Sequence, residues 1–425
     1  MSILLLFALL FGLLIIGVPV AVSLGLASLV FILTNGMPSV IVLHNMVNGV
    51  NSFPLIAIPF FILAGHLMNT AGITTKIFNF ARAMVGWMHG GLGHVNVGAS
   101  VVFAGMSGAA VADAGGLGNI EIKAMRDAGY DTDFSVGITA ASSTIGPIIP
   151  PSLPLVIYGV VADTSIGQLF AAGLIPGLLM AFALMMMVAW FAKRRNYPRD
   201  DRFRFSIFWR TLREAVLPLM TPIIIVGGIV TGIFTPTEAA VAAVAYSMFL
   251  GLAIYRTLNW KSMLRVSMDT IEMTASILMI VAASAIFGWI LTANQVASQF
   301  ADLLLGFTEN KIAILLIVTL LVLIIGCFME TIAAITILVP VLLPVAMQIG
   351  IDPVHFGIIL ILNLMLGLLT PPVGMVLFVL SKVSNVPFER CVIATAPFLI
   401  PLVAVLLLLT FVPVFSMWLP TLVYR

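Results

Sequence analysis

The sequence predicts an all-α integral membrane protein built as an inverted repeat, with two re-entrant helical hairpins and two broken helices. Three observations predict it. Of 425 residues, 61% are hydrophobic and 8% charged, whereas soluble domains carry about a quarter charged residues. Two Pro-Pro pairs occur, Pro150-Pro151 and Pro371-Pro372, each inside an apolar stretch. The Lys and Arg residues collect in a few loops, and these fall on one membrane side only if two apolar stretches enter and leave from the same side.

The elements follow in order. Residues 3–33 form an apolar run too long for a signal-peptide core, with no cleavage site after a short apolar region, so a retained first helix is expected. Residues 54–68 are the next span. In 73–88, Ile77, Phe80, Ala81 and Met84 share a face while Lys76, Asn79 and Arg82 lie elsewhere, which suits a helix lying in the interface plane. Residues 92–125 are broken by small and polar residues near 107–113 and read as the first hairpin. The span 134–161 carries the first Pro-Pro pair. Proline removes a backbone donor and clashes with the preceding turn, so the helix opens there. Spans 169–192, 217–234, 239–255 and 268–292 follow. Residues 296–307 repeat the interfacial pattern, with Asp302. Residues 312–347, turning near 327–331, are the second hairpin, 354–380 carries the second Pro-Pro pair, and 392–418 closes the chain.

The basic residues orient this map. Lys193, Arg194, Arg195, Arg199, Arg202, Arg204, Arg210 and Arg213 crowd one loop, which is therefore cytoplasmic. Counting outward, Lys76/Arg82, Lys123/Arg126, Arg256/Lys261/Arg265 and Lys382/Arg390 also land inside; Lys311 is the exception. The N-terminus is expected inside and the C-terminus outside. The two hairpins then enter from opposite sides and the two Pro-Pro spans run in opposite directions. A glycine precedes each pair by one turn, at Gly146 and Gly367. Another polar, glycine-bearing patch lies the same distance upstream of each, at Gly105-Met106-Ser107-Gly108 and at Gly326-Cys327-Phe328-Met329-Glu330. Paired breaks of this kind point to a secondary transporter's binding site.

Small residues at the first tip, 105–116, allow close helix approach, but that does not account for Ser107 and Asp113. Freed carbonyls beside a hydroxyl suit a hard cation such as Na⁺. Ser142, Ser143, Thr144, Gly146 and Pro147 would supply the facing oxygens, and simple interhelical hydrogen bonding is the alternative. At the second tip, Glu330 is an ionisable group at membrane depth, with Thr331 beside it and Asn363, Thr370, Pro371 and Gly374 opposite. It could hold a second Na⁺, carry a proton, or cap the hairpin. The cavity between the tips is expected to be lined by Ala109, Asp113, Pro147, Pro150, Asn363 and Pro371, and helix N-termini at both tips would suit an anion. Glu238, after Thr235-Pro236-Thr237, reads as a helix start. Cys327 and Cys391 read as reduced packing residues, and no histidines pair at metal spacing. A net charge of +2 gives no reason to expect nucleic acid. Neither a His-Glu-x-x-His nor a Gly-Asp pattern occurs, so an intramembrane enzyme is not expected. No Walker-type loop is present, so any pumping must draw on an ion gradient.

Over nearly its full length the chain resembles the large membrane subunit of tripartite ATP-independent periplasmic (TRAP) transporters. The resemblance rests on Gly105-Met106-Ser107-Gly108 with Ala112-Asp113, on 142–152, on 231–239, and on Gly367-Leu368-Leu369-Thr370-Pro371-Pro372-Val373-Gly374. It implies an elevator-type, sodium-coupled importer of organic anions, sialic acid or C4-dicarboxylates among them, in a bacterial inner membrane. It also implies two partners, a small four-helix membrane subunit on a separate chain and a soluble periplasmic substrate-binding protein. The family's sodium sites map onto Ser107, Gly108, Ser142, Ser143 and Gly146, and onto Glu330, Thr331, Thr370 and Gly374. The second tip often has aspartate where this chain has Glu330, and the longer side chain shifts the ligand geometry. The expected division is scaffold and interfacial arm over 1–91, transport domain over 92–165, scaffold with the basic loop 193–214 over 166–295, an arm over 296–310, transport domain over 311–386, and a final transport-domain helix over 387–425. The alternative is a stand-alone sodium–dicarboxylate symporter that works without a binding protein.

Overall fold

The computed structural model describes residues 2–198, 203–308 and 310–424, without the side chains of Met106, Ser107, Leu305 and Phe307. The expected roles of the Ser107 side chain and of Arg199 and Arg202 therefore lie outside the described residues. Every regular element among the described residues is helical. Helices α1 (Ile3–Ile15), α2 (Val20–Thr34), α3 (Val40–Val50), α4 (Ala57–Thr70) and α5 (Ile73–Val85) lead into the first hairpin, α6 (Gly91–Ser107) and α7 (Ala110–Asp127). The first broken helix is α8 (Thr132–Ser143) and α9 (Leu153–Val161). Then come α10 (Ile166–Arg195), α11 (Phe205–Pro222), the short α12 (Gly228–Val230), α13 (Pro236–Phe249), α14 (Trp260–Ala293) and α15 (Val296–Phe307). The second hairpin is α16 (Lys311–Gly326) and α17 (Thr331–Gln348), and the second broken helix is α18 (Pro353–Gly367) and α19 (Met375–Ser384). The chain ends with α20 (Phe388–Phe411) and α21 (Val414–Val423). By length and composition, 7 stretches among the described residues could cross a membrane, and α17 is one of them.

Both hairpins and both breaks form where the sequence places them. The offset that carries Pro150 onto Pro371 also carries Gly146 onto Gly367 and Gly105 onto Gly326. Four readings need correction. The run 3–33 is two helices, because Gly17 takes a left-handed φ of +90° and Pro19 caps α2. The run 392–418 divides at Val412-Pro413, since the residue before proline is pushed out of the helical region. The span read from 217 begins at Phe205, so part of the basic loop is helix. Helix α3 was not anticipated, because His44, Asn45 and Asn48 interrupt its apolar pattern; it lies against α14, with Gly49 in close contact with Ala285.

Packing groups the helices into two sets. Helix α14 packs on α2, α3 and α4, and α4 on α13. The hairpins and broken helices pack with α20, and α10 joins them, contacting α20, α21, α6 and α18. This places α10 beside the hairpins, whereas the sequence division put it with the scaffold. It stands in the first half where α20 stands in the second. The two broken helices meet directly. Tyr158 on α9 donates to the Pro353 carbonyl at 2.6 Å, and a Cβ on Gly357 would sit 2.5 Å from the Tyr158 ring. Arg126 at the end of α7 donates to the Ser384 carbonyl at 2.9 Å and ties the first hairpin to α19.

At the expected cytoplasmic face, Asp131 accepts from Tyr197 at 2.7 Å and from Arg195 at 2.9 Å. The Tyr197 hydrogen bond first, and Arg195 after it, hold the Asp131 carboxyl below its ordinary range. A depressed carboxylate adds stability above its unfolded pKa and loses it as pH falls through the folded value. The groups are about half exposed, so the contribution is below about 1 kcal/mol. Tyr197→Phe is expected to lower the melting temperature slightly at pH 7. That difference should vanish once the pH drops below the ordinary carboxylate range, as thermal unfolding of the purified protein will show.

Candidate functional site between the hairpin tips

The first tip turns at Gly108, whose φ is +61°. A Cβ there would lie 2.5 Å from the Pro151 carbonyl oxygen, so glycine is required twice, for its conformation and for close approach. The contact presses the tip onto the first break. Helix α7 starts at Ala110 with no side-chain cap, leaving its first N–H groups directed outward. Asp113, in its first turn, is buried, and its Oδ2 lies tight against Gly146.

The break itself exposes oxygen. Ser142 Oγ donates to Asn96 Oδ1 at 2.6 Å, Ser143 Oγ to the Ala140 carbonyl at 2.8 Å, and Thr144 Oγ1 to the Ala141 carbonyl at 2.6 Å. A hydroxyl has one proton and two lone pairs. With each proton already engaged inside the protein, what these side chains offer further is lone pairs, as a hard cation requires. Ser152 differs: it bonds the Pro147 carbonyl and caps α9 through Leu155 N–H.

At the second tip Glu330 is the N-cap of α17. Its Oε2 accepts from Ile332 N–H at 2.9 Å and Ala333 N–H at 3.2 Å. This helix end is thus occupied by the chain's own carboxylate, whereas Ala109 gives α7 no side-chain cap. The tip is tied to the second break by Val373 N–H donating to the Cys327 carbonyl at 3.2 Å and by backbone contact between Gly326 and Gly367. Thr370 Oγ1 donates to the Leu366 carbonyl at 2.8 Å, and Gly374, at φ +53°, starts α19.

The tips meet. A chamber of about 90 Å³ is lined by Ala109 and Pro147 from the first half, Glu330 and Thr331 from the second, and Met273 and Ile277 of α14. Glu330 is the one ionisable acid among the described lining. The other expected cavity residues lie elsewhere. Asp113 sits behind the tip, and Pro150 is buried in the break. Asn363 Nδ2 donates to the Thr319 carbonyl at 2.7 Å and so pins α18 to α16. Pro371 is exposed. The chamber holds a few waters at ~30 Å³ each and is far smaller than the ~300 Å³ of small-molecule pockets. A larger cavity of about 540 Å³ lies further along the same α14–α17 seam, lined by Asn48, Ser52, Ser284, Thr292 and Thr336 among others, with Asp163. That volume lies within the range of small-molecule pockets, ~300–1,000 Å³.

Sequence reading missed Asn96, Glu121 and Thr139, which are buried beneath the first tip. Glu121 is legible as a carboxylate within an apolar hairpin, close in sequence to Lys123 and Arg126. Glu238 is the structural cap expected: Thr235 N–H donates to its carboxylate at 2.8 Å, and its own N–H to Thr235 Oγ1 at 3.3 Å.

Residues 7–415 match the family described as the tripartite ATP-independent periplasmic transporter, DctM component. The chain is 49% identical to the sialic acid TRAP transporter large permease protein SiaM of Vibrio cholerae, over 97% of this chain and 96% of that protein. It is 36% identical to the C4-dicarboxylate TRAP transporter large permease protein DctM of Rhodobacter capsulatus, over 99% of each. Among solved structures, the YdaH transporter of Alcanivorax borkumensis aligns with a TM-score of 0.61 at 15% identity, covering 87% of this chain and 86% of that one. At that identity the likeness concerns the fold alone.

Proposed function

Because the chain belongs to the DctM-component family of tripartite ATP-independent periplasmic transporters, we propose that it imports an organic acid across a bacterial inner membrane in symport with Na⁺. The observation that carries this reading is the convergence of two hairpin tips and two broken helices on one chamber, with oxygen lone pairs presented at the breaks. One Na⁺ is held at the first break by the Ser142 and Ser143 hydroxyls and the carbonyls around Gly108 and Gly146. A second is held between Glu330, Thr331, Thr370 and Gly374. The uncapped α7 N-terminus takes the carboxylate of the substrate. Sialic acid is the first candidate, from the SiaM relative, and C4-dicarboxylates the second.

The transport step is an elevator motion of the hairpin set along α14. That helix meets α17 through small residues: a Cβ on Gly288 would be 3.5 Å from Pro340. Smooth contact of this kind permits sliding. The N-terminus faces the cytoplasm and the C-terminus the periplasm. A small four-helix membrane subunit completes the scaffold, and a periplasmic binding protein delivers the acid.

In proteoliposomes containing both partners, uptake should follow an inward Na⁺ gradient, stop when the gradient is collapsed, and require the binding protein. Equal uptake with K⁺ on both sides contradicts the coupling; uptake without the binding protein favours a stand-alone symporter. Ser143→Ala removes one oxygen ligand with little volume change. It should raise the Na⁺ concentration for half-maximal uptake by roughly two- to tenfold, the scale of one polar contact, with normal protein yield. Unchanged sodium dependence would remove Ser143 from the site.

A further inference from the structure

Beneath the first tip, three helices enclose a polar cluster that the ligands named above do not explain. Asn96 on α6, Glu121 on α7, and Thr139 and Ser142 on α8 are each 2% exposed or less. Asn96 Nδ2 donates to Glu121 Oε2 at 2.6 Å and to Thr139 Oγ1 at 2.7 Å. Asn96 Oδ1 accepts from Ser142 Oγ at 2.6 Å. Glu121 Oε1 is buried with no hydrogen bond.

The chain of donors has a direction. The Glu121 carboxyl faces the amide nitrogen of Asn96 and accepts from it. The amide is planar, and fixing one end fixes the other, so its oxygen faces Ser142. That oxygen only accepts, so the Ser142 proton turns to Asn96 at 2.6 Å rather than to the Thr139 carbonyl at 3.3 Å, and both hydroxyl lone pairs stay free. Without Glu121 the amide is free to turn over. Its nitrogen would then donate to Ser142 and occupy one of its lone pairs, and the hydroxyl proton would turn to the Thr139 carbonyl, leaving less oxygen for a cation.

We propose that Glu121 is a positioning residue for Na⁺. Acting through Asn96, it keeps both lone pairs of the Ser142 hydroxyl free at the first break. The proposal rests on the reading of a Na⁺ site at Ser142. It explains why a carboxylate is buried in the hairpin away from the chamber, and it assigns Asn96 a role that packing alone does not require.

The test uses the reconstituted complex and reads the Na⁺ concentration for half-maximal uptake, with protein yield measured alongside. Glu121→Met removes the acceptor while keeping the volume. The Asn96 amide keeps Thr139 and Ser142 as partners, so yield should hold. Half-saturation should rise roughly two- to tenfold, the effect of one hydrogen bond. Glu121→Gln keeps an acceptor oxygen and should restore the value to within about twofold. Combining Glu121→Met with Ser142→Ala should add nothing to Ser142→Ala alone, since coupled residues are not additive. Should Glu121→Met fail to fold, the exchange Asn96→Asp with Glu121→Gln replaces it. Asn96→Asp alone sets two carboxylates face to face and should impair sodium dependence, and Glu121→Gln should rescue it. Additive effects, a Gln variant as impaired as Met, or no rescue in the exchange would overturn the relay while leaving the ion site standing. Unchanged sodium dependence in Ser142→Ala would instead overturn the ion site at Ser142, and the relay with it.

Discussion

Glu330→Gln is expected to lower the initial rate of Na⁺-driven uptake by at least about tenfold, equivalent to ~1.4 kcal/mol, with nearly normal yield of folded protein. The two roles of this side chain separate by atom. Oε2 caps α17, and an amide oxygen can still accept those hydrogen bonds. The side chain also lines the chamber, where Glu330 is the one ionisable acid among the described lining. Removing it leaves a cation with neutral ligands only. Glu330→Ala supplies the contrast. It loses the cap as well, which costs about 0.5–2 kcal/mol, so yield and rate should both fall. If Glu330→Gln transports at the wild-type rate across a Na⁺ titration, the carboxylate is a cap alone. The second ion would then depend on Thr370 and backbone carbonyls.

Gly367→Ala is expected to leave little or no folded protein. The added Cβ would sit 2.5 Å from the Gly326 carbonyl carbon and 2.7 Å from its Cα. Those are backbone atoms, so relief requires moving the whole hairpin away from the broken helix. Overpacking in a tight interior commonly costs about 1–3 kcal/mol, and contact with backbone places this substitution at the upper end or beyond. The reciprocal change is milder, because a Cβ on Gly326 would meet its neighbours at 3.3–3.4 Å. Size-exclusion profiles of the detergent-solubilised variants will rank the two. Wild-type profiles and uptake for Gly367→Ala would show that the second tip does not seat on the second break in this way.

The parts of the fold legible in the sequence were those with a local backbone cause. Pro150-Pro151 and Pro371-Pro372 cannot continue a membrane helix, and Gly108 and Glu330 mark the two turns between apolar arms. The same chemistry was overlooked where hydrophobicity was continuous: Gly17 with Pro19, and Pro413, divide runs that hydropathy alone joins. Helix α3 was hidden because its polar residues are spaced along a helix whose packing partner, α14, comes far later in the chain. Site residues split along the same line. Ala109, Pro147, Glu330 and Thr331 reach the chamber because tips and breaks are local features. Asn363 and Pro371 were placed by sequence proximity, and only the tertiary structure shows one turned to α16 and the other outward. The Asn96–Glu121–Ser142 chain joins three helices, and its hydrogen-bond direction has no sequence signal.

The central claim is that Na⁺ and the organic acid meet between the two hairpin tips. A cryo-electron-microscopy map of the complete membrane complex, prepared in Na⁺ with saturating acid and again in K⁺, tests it most directly. In Na⁺, density is expected beside the Ser142 and Ser143 hydroxyls and the Gly146 carbonyl, and again beside Glu330 and Thr370, with the acid's carboxylate against the N-terminus of α7. In K⁺ these features should be absent. Acid bound away from both tips, or the same densities in K⁺ as in Na⁺, would contradict the account.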